Sequence, residues 1–207
     1  FLEPDTGAIV IYLLIMLGVI IAHKINYKWF LFLGLLLILF LGGFGYLYYF
    51  NKDLLIKIMG TSFFYRIDRL LTFVNNDSFQ LNRALITIGN AKMFGGGGSV
   101  YIPEAPTDFI IAYSIGNFGV FSFILIIFSF LILDIYFFYH FFNNKNKKNK
   151  LFISGFLFMF LFAQIENIGM NLGVLPIIGL PLPFLSYGGT NIMVYFMFLG
   201  ILINLKN

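Results

Sequence analysis

Residues 179–190, Gly-Leu-Pro-Leu-Pro-Phe-Leu-Ser-Tyr-Gly-Gly-Thr, constrain the fold more than any other part of the chain. They lie in a run from position 167 to position 205 that contains no charged residue. The prolines at positions 176, 181 and 183 and the glycines at 188 and 189 are incompatible with one continuous helix. The run therefore predicts a hydrophobic helix ending near Leu175, an irregular segment, and a second helix beginning near Thr190. Irregular backbone at membrane depth must be satisfied by protein or by a water-filled cavity, so this segment is a candidate site.

The composition indicates a membrane protein. Hydrophobic residues make up 60% of the chain and charged residues 11%, and 29 of the 207 residues are Phe. A bilayer core about 30 Å thick requires about 20 apolar helical residues. We therefore expect an all-α, polytopic integral membrane protein with five transmembrane helices, forming a single membrane domain over residues 1–207. The expected spans are 6–22, 29–50, 108–133, 151–174 and 190–205.

Lysines predict the orientation of these spans. They follow the first span, the third span and the fifth span: Lys24 and Lys28, then Lys145, Lys147, Lys148 and Lys150, then Lys206. An even number of crossings separates the three positions, so the positive-inside rule makes all of them cytoplasmic. Residues 51–107 are then a long extracellular loop, and the 175–189 segment also lies outside.

The long loop contains local signals but no nucleotide-binding motif. Ser78 is placed to cap a helix from Phe79 to about Ile88. Residues 95–98, four consecutive glycines, predict a flexible or close-approach segment. They lack the spacing of a phosphate-binding loop, so we exclude nucleotide binding and expect no nucleic-acid partner. The absence of Cys excludes disulfides and thiol catalysis. Because the chain begins with Phe1 rather than Met, we expect a fragment.

Polar side chains inside the expected spans are a second group of candidates. Gln164, Asn167 and Asn171 share one helical face, whereas Glu166 falls on nearly the opposite face. Gln164 and Asn171 are best interpreted as contacts between helices. A buried Glu is costly enough to predict pairing with an outer-loop cation or a polar cavity. Asp134 is expected to be solvated at the cytoplasmic end of the third span. For Asp108, the simplest role is that of a residue favoured at a helix N-terminus, and Glu104 is expected to be an exposed loop acid.

Four segments, in order, resemble the SEDS family (shape, elongation, division and sporulation), the group of RodA, FtsW and SpoVE. Residues 3–7, Glu-Pro-Asp-Thr-Gly, are similar to the family's Gln-Pro-Asp-Leu-Gly. Residues 65–89 resemble its long extracellular loop, and residues 102–112 resemble its Leu-Pro-Glu-x-His-Thr-Asp-Phe-Ile-Phe-Ala. Residues 167–170 followed by 182–189 are close to its terminal signature. The five expected spans would then be the last five of about ten.

The resemblance implies a peptidoglycan glycosyltransferase that polymerises lipid II into glycan strands. In that reaction the acceptor's GlcNAc 4-hydroxyl attacks C1 of the donor's MurNAc, and undecaprenyl pyrophosphate leaves. The family's essential acid corresponds to Asp108, and a hydroxyl nucleophile needs such a positioned base. A helix dipole would weaken this base by lowering its pKa, so burial or a metal ion would have to compensate.

The resemblance also implies a set of substrate-binding residues. Cationic side chains of the long loop are available to hold the diphosphate, and the acid of the Pro-Glu motif and two residues of the terminal signature complete the set: Arg66, Arg69, Arg83, Lys92, Glu104, Ser186 and Tyr187. A divalent cation, Mg²⁺ or Mn²⁺, is the cofactor that this chemistry allows, with no ligand spacing visible in the sequence. Two departures stand out: Pro106 replaces the family's His, and residues 116–119, Gly-Asn-Phe-Gly, replace its Glu-Glu-Leu-Gly.

The expected partners are lipid II, the nascent glycan chain, membrane lipids and a class B penicillin-binding protein. The expected location is the bacterial cytoplasmic membrane, crossed several times, with the active site on the extracellular face. Two alternatives remain open. Broken helices with polar residues at mid-membrane also suit a transporter or flippase for the lipid-linked precursor. A non-catalytic scaffold that recruits a transpeptidase would explain the missing pair of glutamates.

Overall fold

The computed structural model describes residues 6–23, 78–97 and 100–205, together with scattered positions between 34 and 54. Over these residues the protein is helical and contains no strand, as the sequence predicts. The helices are α1 (Thr6–Ala22), α2 (Phe79–Asn90), α3 (Ile110–Phe118), α4 (Val120–Asn143), α5 (Lys147–Asn171) and α6 (Gly189–Asn204). Ser78 caps α2 as expected, its hydroxyl accepting the N–H of Leu81 at 3.4 Å.

Among the helices that the structure describes, α4 and α5 are long and apolar enough to cross a membrane. The 24 residues of α4 extend about 36 Å, which exceeds a hydrocarbon core of about 30 Å. The apolar helices α1 and α6 are shorter, with 17 and 16 residues. The residues described between Gly34 and Phe50 are helical, but the bounds of the expected second span lie outside the described residues. A membrane protein is therefore supported, and the count of five spans stays a prediction.

The expected third span, 108–133, is wrong as one continuous helix. It is divided at Gly119, whose φ of +82° ends α3 before α4 begins. The first free N–H groups of α4 are satisfied from the loop, because Val120 donates to the Lys92 carbonyl at 3.1 Å and Phe121 to the Met93 carbonyl at 3.0 Å. A Cβ at Gly119 would collide with these carbonyls and with the backbone of Gly95. Gly95 of the glycine-rich segment therefore lies close against Gly119, and the helix that is long and apolar enough to cross a membrane begins only after residue 119.

The expected fourth span also shifts. Instead of 151–174, α5 runs from Lys147 to Asn171, because the Asn146 side chain caps it by accepting the N–H of Lys148 at 3.0 Å. Three of the lysines expected in a turn therefore belong to its first helical turn. The helix ends at Asn171, before the expected Leu175, and Gly173 just after it has a φ of +73°. The last helix begins within one residue of the predicted Thr190.

Small residues allow α1 to lie directly on α5. A Cβ at Gly18 would come within 2.7 Å of the Ser154 carbonyl oxygen, and one at Gly155 would meet Ile15 and Val19 at 3.2 and 3.3 Å. Close approach of this kind is how membrane helices associate, because lipid supplies no hydrophobic drive between them.

An aromatic core joins α4, α5 and α6. Phe137 of α4 is fully buried and meets Phe156 and Phe160 of α5 edge to face, with ring centroids 5.1 Å apart in both pairs. Tyr195 of α6 meets Phe160 at 6.0 Å. Edge-to-face pairs at this spacing stabilise a core beyond the apolar area that they bury.

A polar contact crosses the same interface and corrects one expectation. Asp134 is not simply solvated at the cytoplasmic end, because it lies in the second half of α4 and accepts a hydrogen bond from the Gln164 side-chain amide of α5 at 3.0 Å. Gln164 therefore contacts another helix as predicted, with a charged partner that the sequence did not suggest.

The contact between α1 and α5 leads to a stability prediction. We expect Gly18→Ala to lower the free energy of unfolding by about 1–3 kcal/mol, since the added methyl group overpacks the interface. The matched control is Gly200→Ala in α6, where a Cβ meets nothing within 4 Å and stability should be unchanged or slightly higher. Thermal unfolding of both variants in detergent checks this, and equal melting temperatures would contradict the close packing.

Candidate active site

The turn before α3 is held by hydrogen bonds to one carbonyl. The Glu104 carbonyl oxygen accepts the N–H groups of Thr107, Asp108 and Phe109 at 3.3, 3.0 and 3.3 Å. The Thr107 hydroxyl donates to the same oxygen at 3.0 Å and lies 3.2 Å from the Glu104 carboxylate. Glu104 itself is exposed, as expected, but has a φ of +55°, which residues other than Gly rarely adopt. Such strain persists where surrounding contacts impose it, and it is often found at functional sites.

Asp108 is not the cap of α3. Phe109 occupies the N-cap position, and no side chain there accepts a backbone hydrogen bond. The main chain of Asp108 is instead held by α5: its carbonyl oxygen accepts the side-chain amides of Asn167 at 2.9 Å and Asn171 at 3.0 Å. Asp108 therefore lies one residue before the N-cap of α3, near the helix N-terminus as expected, but its side chain does not cap the helix.

The two asparagines connect three segments. Both are fully buried. The second amide hydrogen of Asn167 reaches the Leu180 carbonyl at 2.8 Å, and the Asn171 side-chain oxygen accepts the N–H of Ala112 at 3.0 Å. Because removing one member of a buried polar network leaves its partners unsatisfied, these bonds define the position of Asp108 relative to α3 and α5.

The terminal signature is attached to the same turn. The Ser186 hydroxyl donates to the Thr107 carbonyl at 2.6 Å and accepts the N–H of Leu182 at 2.8 Å, while the N–H of Tyr187 donates to the Pro106 carbonyl at 2.9 Å. Ser186 is 1% exposed and Tyr187 is 77% exposed. Ser186 therefore links the two segments, and only Tyr187 offers its side chain to a ligand.

Packing against the aromatic core explains the conformation of this segment. Phe184 has a φ of +61°, a genuine outlier for a bulky residue. Its ring lies 5.9 Å from Phe160, 5.4 Å from Tyr195 and 5.3 Å from Phe196, measured between centroids. The core thus holds Phe184 in a strained geometry that turns Ser186 and Tyr187 back towards residues 106 and 107.

The Asp108 carboxyl group lies partly buried against Gly179. Burial raises the pKa of Asp108 above its ordinary value, and the nearby negative charge of Glu104 raises this pKa further. A Cβ at Gly179 would lie 3.4 Å from Oδ2 of Asp108, and the φ of +81° at Gly179 favours glycine there. The structure therefore supplies the burial that a base at this position requires.

Glu166 has a different partner from the one expected. It is 1% exposed, and its Oε1 accepts the N–H of Ile178 at 3.2 Å. Its Oε2 is buried and has no hydrogen-bond partner among the described residues. Over that part of the chain the observed partner is backbone of the irregular segment rather than a cation. Glu166 also lies within electrostatic range of Asp108.

The four candidate cations divide into two groups. Arg66 and Arg69 lie outside the described residues. The Arg83 guanidinium donates to the Tyr101 carbonyl at 3.0 Å and stacks over the Phe79 ring at 4.4 Å. The Lys92 side chain is exposed, and its carbonyl receives the N–H of Val120. No described contact joins Arg83 or Lys92 to Asp108.

The sequence does not predict that Asn171 and Gly179 contact Asp108. The sequence predicts only a contact between helices for Asn171, although its spacing of four residues from Asn167 in an uncharged run is a usable signal. Nothing local marks Gly179 as the neighbour of Asp108. Within the described ranges, no group of three or more His, Cys, Asp or Glu side chains could hold a metal ion.

Comparison with known proteins finds relatives that match almost the whole chain. The chain is 29% identical to the "Probable peptidoglycan glycosyltransferase FtsW" of Alcanivorax borkumensis, over 98% of this chain and 52% of that protein. It is 32% identical to the protein of the same name from Buchnera aphidicola subsp. Schizaphis graminum, over 98% of this chain and 58% of that one. The chain therefore spans about half the length of these relatives.

A solved structure shares the fold. It is described as "Structural coordination of polymerization and crosslinking by a peptidoglycan synthase complex" and matches with a TM-score of 0.75 at 23% identity, over 98% of this chain and 55% of the other. The model of the FtsW, RodA and SpoVE family, described as "Cell cycle protein", matches residues 1–207. The chain belongs to the FtsW, RodA and SpoVE family of cell cycle proteins.

Proposed function

We propose that the whole protein is a peptidoglycan glycosyltransferase that polymerises lipid II, with Asp108 as the general base. The names of its relatives support the reaction class. The observation that carries the role of Asp108 is its environment: a partly buried carboxyl group with a raised pKa, on a main chain clamped by Asn167 and Asn171. A base works best when its pKa approaches the operating pH and its position is rigid.

The proposed step transfers one proton and one sugar. The acceptor's 4-hydroxyl oxygen forms a bond to C1 of the donor sugar while the bond from C1 to the phosphate oxygen breaks. The hydroxyl proton passes to Asp108, and the electron pair of the broken bond leaves with undecaprenyl pyrophosphate. Attack opposite to the leaving group inverts the configuration at C1.

The leaving diphosphate needs positive charge. We assign this role to the loop cations Arg66, Arg69, Arg83 and Lys92, with Glu104 and Tyr187 contacting the sugar side of the substrate. Of these cations, Lys92 is exposed and Arg83 is partly occupied by the Tyr101 carbonyl. Among the described residues no three His, Cys, Asp or Glu side chains lie together, and no step proposed here is routed through a metal ion.

Membrane placement follows from the distribution of charge. We infer that the lysine-rich segments are cytoplasmic and that the turn carrying Asp108 faces the outside of the bacterial cytoplasmic membrane. The description of the solved relative as a synthase complex supports a transpeptidase partner, for which a class B penicillin-binding protein is our proposal. Membrane lipids and the nascent glycan chain complete the proposed surroundings.

We expect Asp108→Asn to reduce glycan synthesis by about 10²–10⁴-fold, the usual contribution of a general base. The amide preserves the shape of the side chain and leaves the clamped carbonyl unchanged, so folding should be retained. Asp134→Asn is the matched control, because Asn can still accept the hydrogen bond from Gln164. Turnover of purified lipid II by the full-length protein with its partner is the measurement. Undiminished synthesis by Asp108→Asn would rule out the base.

The raised pKa of Asp108 leads to a second prediction. A base must be deprotonated, so activity should fall as the pH drops through the pKa of Asp108, which lies above its ordinary value. Glu104→Gln removes the neighbouring charge that raises this pKa, while Gln can still accept the Thr107 hydroxyl. The acidic limb of the kcat/KM profile should therefore move to lower pH. A limb that does not move would show that Asp108 is not the group that titrates.

Cysteine labelling tests the orientation, since the 207 residues contain no Cys. Tyr187 and Lys145 are both exposed, on opposite sides in the proposed topology. We expect Tyr187→Cys in intact cells to react with an impermeant thiol reagent, and Lys145→Cys to react only after the membrane is permeabilised. Labelling of Lys145→Cys in sealed cells would reverse the proposed orientation.

A further inference from the structure

A groove beside the Asp108 turn is lined mostly by residues that the proposed reaction does not use. It has a volume of about 480 Å³ and is bounded by Thr87 of α2, by residues 100–102 and 104–106, and by Tyr113 and Asn117 of α3. This volume lies within the range of small-molecule sites, about 300–1,000 Å³. Residues 104–106 of its wall belong to the same turn as Asp108, because the Glu104 carbonyl accepts the Asp108 N–H at 3.0 Å.

Hydrogen bonds to α2 hold the groove open in a defined shape. The Arg83 guanidinium binds the Tyr101 carbonyl at 3.0 Å, and the Thr87 hydroxyl accepts the N–H of Val100 at 3.4 Å. Thr87 is 1% exposed, so this anchor is shielded from water. Residues 100 and 101 are thus fixed to a helix, and binding in the groove would not have to order them first.

The side chains that line the groove suit an uncharged, amphipathic ligand. Tyr101 and Tyr113 are 77% and 45% exposed, so both rings offer apolar surface next to a polar hydroxyl. The Asn117 amide donates to the Tyr113 carbonyl at 2.9 Å, which leaves its oxygen without a partner among the described residues. The charged group among the described lining residues is the Glu104 carboxylate, so a diphosphate would be repelled.

We propose that this groove binds an N-acetylhexosamine unit of the glycan strand, next to the sugar that reacts at Asp108. A pyranose ring has a face of C–H groups that can pack on tyrosine, and an edge of hydroxyl and acetamido groups that can bond to Asn117 and Glu104. The inference rests on the proposed glycosyltransferase function. It adds a saccharide subsite distinct from the cations assigned to the diphosphate.

Direct binding of a soluble glycan fragment tests the subsite separately from catalysis. The probe is a lipid-free GlcNAc–MurNAc tetrasaccharide, titrated into the full-length protein in detergent and followed by saturation-transfer NMR. We expect Tyr101→Ala and Tyr113→Ala each to weaken binding about tenfold, and the corresponding Phe variants to retain most of it. Tyr139→Ala is the matched control, because Tyr139 is 64% exposed on α4 and does not line the groove.

The outcomes separate the subsite from the reaction. Asp108→Asn should bind the tetrasaccharide like the unmodified protein while making no glycan. If the fragment binds through Tyr101 and Tyr113 but the unmodified protein does not polymerise lipid II, the proposed function is wrong and the saccharide subsite is retained. If the protein polymerises lipid II but the fragment fails to bind, or binds equally to both Ala variants, the subsite is wrong. Binding only of a tetrasaccharide that carries stem peptides would likewise overturn it in favour of a peptide site.

Discussion

The buried amides of Asn167 and Asn171 organise the outer end of this protein. Through them α5 binds the main chain of Asp108, the first turn of α3 and the Leu180 carbonyl of the irregular segment. These bonds satisfy backbone groups that have little access to water near a membrane. Loss of the Asn167 amide would leave the Leu180 carbonyl without its donor, and loss of the Asn171 amide would leave the Ala112 N–H without its acceptor, at a penalty of about 1–3 kcal/mol for each group. The position of the candidate base thus depends on a network whose members come from three separate parts of the chain.

Two residues near that network have strained backbone conformations that surrounding contacts hold in place. Glu104 and Phe184, the two described residues other than Gly with positive φ, lie in the two segments that meet at Asp108. Hydrogen bonds hold Glu104, whereas contacts with Phe160 and Tyr195 hold Phe184. The aromatic core of α4, α5 and α6 therefore also fixes the conformation of Phe184. Through Phe184 it sets the positions of Ser186 and Tyr187. A site built in this way is rigid before substrate arrives, which favours precise proton transfer.

Glu166 is one of two described side chains that bury a polar atom without a hydrogen-bond partner, the other being Asn144. One carboxylate oxygen receives the Ile178 N–H, and the other is buried without a partner in the described part of the chain. Its backbone contact ties α5 to the segment containing Gly179, which lies against Asp108. Removing the carboxylate would leave the Ile178 N–H without this acceptor.

The amino-acid sequence by itself determined the class of the protein and the outline of its helices. Apolar composition required helices in a membrane, and the prolines and glycines of residues 176–189 required a break between α5 and α6. The order of the four motifs indicated the family, and with it Asp108. These features could be predicted because they depend on local backbone chemistry and on the apolar solvent.

Tertiary structure decided what surrounds Asp108. The break at Gly119 arises because residues 92–95 pack against it, and a lone glycine gives no such signal in a membrane helix. The partners of Glu166, Asp134 and Asn171 lie 12, 30 and 59–63 residues away along the chain. Helical spacing shows which residues share a face, but it does not show which element that face meets. Those contacts follow from the packing of whole helices against one another, and that packing places the carboxyl group, its neighbours and the adjoining groove together.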